Sequence, residues 1–301
     1  MAANSPTFLD PQVLARIEGL TFRARAVVEG YVAGLHRSPY HGFSVEFAEH
    51  REYAPGDDLR YVDWKVFGRT DKFYVKQFEE ETNLTCHLVL DCSAGMAFRS
   101  KGAIFSKFDY ARCTTAALAY LMIRQQDRVT LQTCGARPVW LRSVQQGATW
   151  ADLVRVLEDA VPEGEAELPK FLAAVCERTK RRGVVVVVSD FLDDFAPMER
   201  SLQRLRHARN DVILIHILDP QELAFDFRRT AMFSDLEGPG RLLVEPGTIR
   251  KEYREEIARH CKRIAGFARS IGCDYLQLTT DQPPGLALAR YVAARQDGGR
   301  F

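Results

Sequence analysis

The chain has 301 residues with 46% hydrophobic composition, enough for one large core with an accessory region or for two domains. Forty-one Lys+Arg stand against forty Asp+Glu for a formal charge of +1, which excludes a global field steering the chain to nucleic acid or an anionic membrane. Seven scattered Cys without a Cys-x-x-Cys pair point to reduced thiols rather than a disulfide framework.

No basic region plus apolar run opens the chain, and no apolar stretch approaches spanning length, so a soluble cytoplasmic protein is expected. Apolar residues from Val13 to His36 recur near helical spacing, with Gly19 and Gly30 as candidate interruptions. Phe43, Val45 and Phe47 then alternate with polar or small residues, and Phe73, Val75 and Phe78 repeat the signal, which predicts a small antiparallel element. Residues 1–82 therefore read as an accessory module and 83–301 as the main domain.

Between those strand signals lies an unusual segment, Arg51 to Thr70. Pro55-Gly56-Asp57-Asp58 is a turn in which Pro fixes one torsion, Gly tolerates another and the acids accept local backbone bonds. Arg51, Arg60 and Arg69 interleave with Asp57, Asp58 and Asp63 around Tyr61, Trp64 and Phe67. This reads either as an interaction surface or as a network of ion pairs holding an irregular loop, because mixed acids and guanidiniums satisfy one another before they leave carboxylates free for a metal.

Leu84 to Asp91 is a short apolar run ending in an acid, with Ser93 and Gly95 behind it, which reads as a buried parallel strand. Helix patterns follow at 105–125, 150–161, 168–181, 197–208, 249–270 and 286–294. They alternate with strand signals at 127–134, 184–188, 211–217 and 275–278. This alternation predicts an α/β fold with a doubly wound, mostly parallel sheet. Lys180-Arg181-Arg182 falls at a helix C-terminus, where cations are favourable without any ligand.

The chemistry candidates sit at strand ends, where open α/β sheets keep their sites. Asp91 and Ser93 follow one strand and Asp190 another, while the Gly147-Ala148-Thr149 turn precedes a helix that would bring Thr149 beside them. Carboxylate and hydroxyl oxygens in a loop cluster suit Mg2+ or Mn2+. The competing reading gives Ser93 and Thr149 helix-cap or turn duties and lets Asp190 bond to backbone amides.

Asp91-Cys92-Ser93-Ala94-Gly95-Met96 resembles the metal-site opening of von Willebrand factor A-like domains, Asp-x-Ser-x-Ser, and Ser189-Asp190-Phe191 stands in the place of their later Thr/Ser-Asp element. The arrangement from Arg51 through Asp63-Trp64-Lys65 to Arg69, followed by Lys76-Gln77-Phe78-Glu79-Glu80-Glu81, resembles the bacterial von Willebrand A-like family catalogued as domain of unknown function 58. The resemblance implies a von Willebrand factor A-like, Rossmann-like sheet. It also implies an adaptor paired with a MoxR-type AAA+ ATPase in complex assembly, metal-centre maturation or stress response. Its metal ligands would be Asp91, Ser93, Thr149 and Asp190, binding Mg2+ or Mn2+ weakly or with a partner's help. Gly95 departs from the pattern, because it removes a hydroxyl that would contact the ion.

An enzyme is the less favoured reading. The chain carries neither a Gly-x-x-x-x-Gly-Lys-Ser/Thr phosphate loop, nor a Gly-x-Gly-x-x-Gly turn, nor a Gly-x-Ser-x-Gly elbow. His50 with Asp57, Asp58 and Asp63 is the alternative constellation, a metal-dependent hydrolase site without an obvious nucleophile. His50, His87 and His260 otherwise read as isolated structural or surface residues.

Overall fold

The computed structural model describes residues 11–35, 50–52, 74–76 and 85–288, apart from 145, 166, 180, 181, 193 and 237. Two compact units divide the chain, residues 1–38 with 84–301, and residues 39–83. The sequence expectation placed 1–82 together as an accessory module. The difference arises because the N-terminal helices bury Leu14, Leu20, Ala24, Val27 and Val28 in the same core as the sheet. In the second unit, strands β1 (His50–Glu52) and β2 (Tyr74–Lys76) pair antiparallel, Arg51 opposite Val75. Asp57, Asp58, Arg60, Asp63, Trp64 and Arg69, and the strand expected at 43–47, lie outside the described residues, as does the side chain of Arg51.

The larger unit opens with α1 (Pro11–Arg16) and α2 (Leu20–Leu35). Gly19 breaks the helical run with φ +81°, a conformation that costs glycine nothing, whereas Gly30 continues within α2. Alternation then builds the sheet: β3 (Thr85–Asp91), α3 (Lys107–Arg124), β4 (Arg128–Cys134), β5 (Val139–Leu141), α4 (Trp150–Asp159), α5 (Leu168–Arg178) and β6 (Gly183–Ser189). Next come α6 (Phe195–His207), β7 (Asp211–Leu218), α7 (Pro220–Ala224), the hairpin β8 (Ala231–Ser234) and β9 (Arg241–Val244), α8 (Pro246–Ser270) and β10 (Asp274–Thr279). The helix expected at 286–294 is described only as far as residue 288.

The six-stranded sheet has the order β10-β7-β6-β3-β4-β5, parallel except for the antiparallel edge strand β5. Leu88 in the central strand pairs with Leu131 on one side and Val186 on the other. Because successive side chains on a strand point to opposite faces, the valine run of β6 feeds two cores. Val184, Val186 and Val188 pack with α1 to α4, while Val185 and Val187 pack with α5, α6 and α8. Both faces are thus covered by helices, the condition under which a parallel sheet carries unbroken apolar strands. The result is the doubly wound, mostly parallel α/β architecture that the alternation of elements predicts.

The winding direction reverses between β3 and β6. From β3 the chain moves to β4 and β5, then crosses back to β6 and continues outward through β7 and β10. The crevice at the carboxyl ends of β3 and β6 is therefore the topological switch point, where such sheets hold their ligands.

Candidate functional site at the switch point

The structure brings together three of the four candidate metal residues. Asp91 ends β3 and Ser93 lies two residues beyond, while Asp190 directly follows β6, and all three line one cleft of about 780 Å³. The loop after β3 is held from two sides. The Cys92 amide donates to Cys134 O at 2.5 Å, and the Ala94 amide to Gly164 O at 2.8 Å. Gly135 permits the first approach, since a Cβ there would meet Cys92 O at 2.7 Å. Gly95 borders the cleft in the place where the resembled pattern has a second serine.

Asp91 is 3% exposed. Its Oδ1 accepts from the Ser93 amide at 2.8 Å, and its Oδ2 accepts from the Ser189 hydroxyl at 2.5 Å. Burial, with the nearby Asp190 charge second, pushes its pKa up to about 7, and the bonds from Ser189 and Ser93 only partly oppose the rise. Ser189, the last residue of β6, joins the site as the hydroxyl of the Ser189-Asp190 pair legible in the sequence. Its Oγ also accepts from the Phe191 amide at 2.9 Å, so one hydroxyl couples β3 to the turn after β6.

That turn is strained. Phe191 is fully buried with φ +49°, an uncommon conformation for a bulky aromatic residue. His260, set aside as isolated in the sequence, donates from Nε2 to the Phe191 carbonyl at 2.8 Å and so fastens the turn to α8. His87 has its own structural contact, Nδ1 lying 2.9 Å from Thr130 Oγ1.

The residue that sequence reasoning missed is Lys107, in the first turn of α3. Its side chain is 1% exposed, and its Nζ donates to Asp190 Oδ2 and to Glu222 Oε1, both at 2.6 Å. Burial alone would lower its pKa, but the two carboxylates outweigh burial and hold the ammonium charged. Glu222 is presented by a capping box on α7: its Oε2 accepts from the Asp219 amide at 2.8 Å, and Asp219 Oδ1 accepts from the Gln221 amide at 2.8 Å. A signal for Lys107 existed. A lysine at a helix N-terminus opposes the macrodipole, and the neighbouring Phe105, Phe108, Tyr110 and Ala111 are apolar or aromatic.

Thr149 is placed at the N-cap of α4 rather than in the cleft lining. Its Oγ1 accepts from the Asp152 amide at 3.2 Å, and Asp152 Oδ2 accepts from the Thr149 amide at 2.9 Å. The capping reading of that turn therefore describes its contacts.

The donor set can be tested against the divalent ion implied by the resemblance. Asp190 Oδ2 is engaged by Lys107, and its Oδ1 accepts from the Leu192 amide at 3.2 Å. Both oxygens of Asp91 have donors, Gly95 supplies no hydroxyl, and among the described residues no group of three or more His, Cys, Asp or Glu is arranged to hold a metal ion. A second cation on Asp190 would also face a buried ammonium, where screening by water is weak. As they stand, these residues do not fit a divalent ion.

The cleft borders an exposed apolar element. Ser234, Asp235 and Leu236 at the end of the β8–β9 hairpin form part of its wall. Met232 and Leu243 sit opposite each other in the hairpin register and are 58% and 65% exposed. On the hairpin's other side Phe233 stacks on Phe225, which in turn stacks on Tyr253 of α8, while its register partner Leu242 is exposed.

Residues 49–263 match the family described as "Protein of unknown function DUF58". The uncharacterized protein Rv1480 of Mycobacterium tuberculosis is 28% identical over 294 residues, covering 96% of this chain and 92% of the relative. Uncharacterized protein MAV169 of Mycobacterium avium is 29% identical over 133 residues, covering 44% of this chain and 78% of the relative. Among solved structures, the SpRpn10 VWA domain is similar with a TM-score of 0.41 at 13% identity, covering 69% of this chain and 94% of that domain.

Proposed function

The chain belongs to the DUF58 family, and from that premise we propose that it is a non-enzymatic adaptor that docks a protein partner, a MoxR-type AAA+ ATPase, on the switch-point face. The observation that supports this reading is a polar cleft walled in part by Ser234, Asp235 and Leu236 of a hairpin that also carries the exposed pair Met232 and Leu243. Exposed aliphatic side chains beside a preformed polar cleft are the composition of an interaction surface, with apolar contacts for affinity and polar groups for register. An adaptor without its own phosphate loop reports or transmits the state of an ATPase without hydrolysing nucleotide itself.

The test is direct binding of the purified chain to the MoxR-type ATPase of the same organism, measured by biolayer interferometry with and without nucleotide. Met232→Ser combined with Leu243→Ser weakens association by at least about tenfold, the equivalent of about 1.4 kcal/mol, while the circular dichroism spectrum stays unchanged. Asp91→Ala weakens it in the same direction. Full affinity in both folded variants rejects this face as the docking surface.

A further inference from the structure

We propose that the Lys107 ammonium is the resident cation of the switch-point site, standing where metal-dependent sites of this fold hold a divalent ion, so that the face is built to work without metal. This goes beyond the adaptor reading and does not depend on which partner binds.

Three separate elements converge on one nitrogen. Lys107 enters from the start of α3, Asp190 from the turn after β6, and Glu222 from α7, and both carboxylates lie 2.6 Å from Nζ. Local structure does not favour the lysine there, because the positive end of the α3 dipole repels it. The two carboxylates are what hold it in place, and it in turn neutralises acids that would otherwise face each other within bridging reach of a single ion.

The remaining lone pairs are used in the same sense. Glu222 Oε2 accepts the Asp219 amide, Asp190 Oδ1 the Leu192 amide, and Asp91 the Ser93 amide and Ser189 hydroxyl. Each carboxylate oxygen thus already has a donor. A hard divalent cation is held by carboxylate oxygens with water completing its shell; here the Asp190 and Glu222 carboxylates are already taken by the ammonium, and Gly95 removes a hydroxyl that the resembled pattern would supply.

The experiment is a Mn2+ titration of the full chain followed by electron paramagnetic resonance, which reads loss of the free-ion signal. Wild type leaves that signal unchanged at equimolar, sub-millimolar protein, and its thermal midpoint is the same in Mg2+ as in chelator. Lys107→Ala vacates the cation position and leaves Asp190 and Glu222 to bind, so it takes up Mn2+ at least about tenfold more tightly than wild type. Asp190→Asn added to Lys107→Ala abolishes that gain. Stoichiometric uptake by wild type that Asp190→Asn removes would overturn the proposal. So would a folded Lys107→Ala protein with no uptake, because the ammonium would then not be standing in an ion's place. Should Lys107→Ala not fold, the wild-type titration and the Mg2+ dependence of its thermal midpoint decide by themselves.

Discussion

The Ser189 hydroxyl donates to Asp91 across the seam between β6 and β3, so the two strand ends that flank the switch point share one hydrogen bond of 2.5 Å. The acid that receives it is buried and retains its proton to about pH 7. Between an ordinary carboxyl pKa of 3.8 and about 7 the folded chain therefore binds a proton that the unfolded chain has released. Stability from this group falls as pH rises through that window and is constant above it, by a ceiling of about 4 kcal/mol at 1.36 kcal/mol per unit.

Asp91→Asn removes the titration while its amide still pairs with Ser93 and Ser189. The difference in melting temperature, variant minus wild type, grows from pH 4 to 7 and then levels. His87 and His216, both pushed down to about 4 by burial, lose stability in the opposite direction as pH falls from about 6.5. That contribution is common to both proteins and cancels in the difference. An increment that is flat with pH would show that Asp91 does not carry the proton.

Lys107 and its two carboxylates set a second expectation. Breaking a buried ion pair from one side leaves an uncompensated charge and costs about 3–5 kcal/mol. Lys107→Met strands both Asp190 and Glu222, so a drop in melting temperature on the order of 10 °C is expected for a domain of this size. The triple variant Lys107→Met, Asp190→Asn, Glu222→Gln removes all three charges of this cluster together and recovers most of the loss. Denaturant melts of the three proteins check this. A single variant within about 1 kcal/mol of wild type would mean that the ammonium contributes little to the folded state.

The sheet was legible because its signals are long and local. Val184 to Val188 is an unbroken β-branched run, and helices such as 249–270 keep apolar spacing over several turns. The hairpin β8–β9 and the five-residue α7 escaped notice, being too short for periodicity and held by aromatic contacts with α8. Half of the site was legible for the same reason: Asp91, Ser93 and Asp190 stand at abrupt ends of apolar strands. Glu222 was not, since it meets Lys107 from 115 positions away, and only the winding of the sheet brings α7 over the start of α3. Thr149 illustrates the reverse error. Its Thr149-Trp150-Ala151-Asp152 sequence is a local cap signature with Asp in place of Glu, and that short-range pairing claims the hydroxyl that the resemblance would have given to an ion.

Thr149→Ala separates those two roles. The hydroxyl and the Asp152 carboxylate satisfy two backbone amides at the exposed start of α4, and Thr149 is the main reason that the Asp152 pKa is lowered. Losing an N-cap of this kind costs about 1 kcal/mol, which corresponds to a fall of roughly 2–4 °C in melting temperature for a domain of this size. Nothing in that change reaches Asp91, Asp190 or Lys107, so partner affinity and the Mn2+ uptake of Lys107→Ala are expected to match those of the parent proteins. Asp91→Ala does the opposite, because it removes an acid that lines the cleft itself. Parallel melts and binding curves for Thr149→Ala and Asp91→Ala make the comparison. If Thr149→Ala weakened partner binding as much as Asp91→Ala did, with only the small cap-sized loss of stability, Thr149 would belong to the docking face after all.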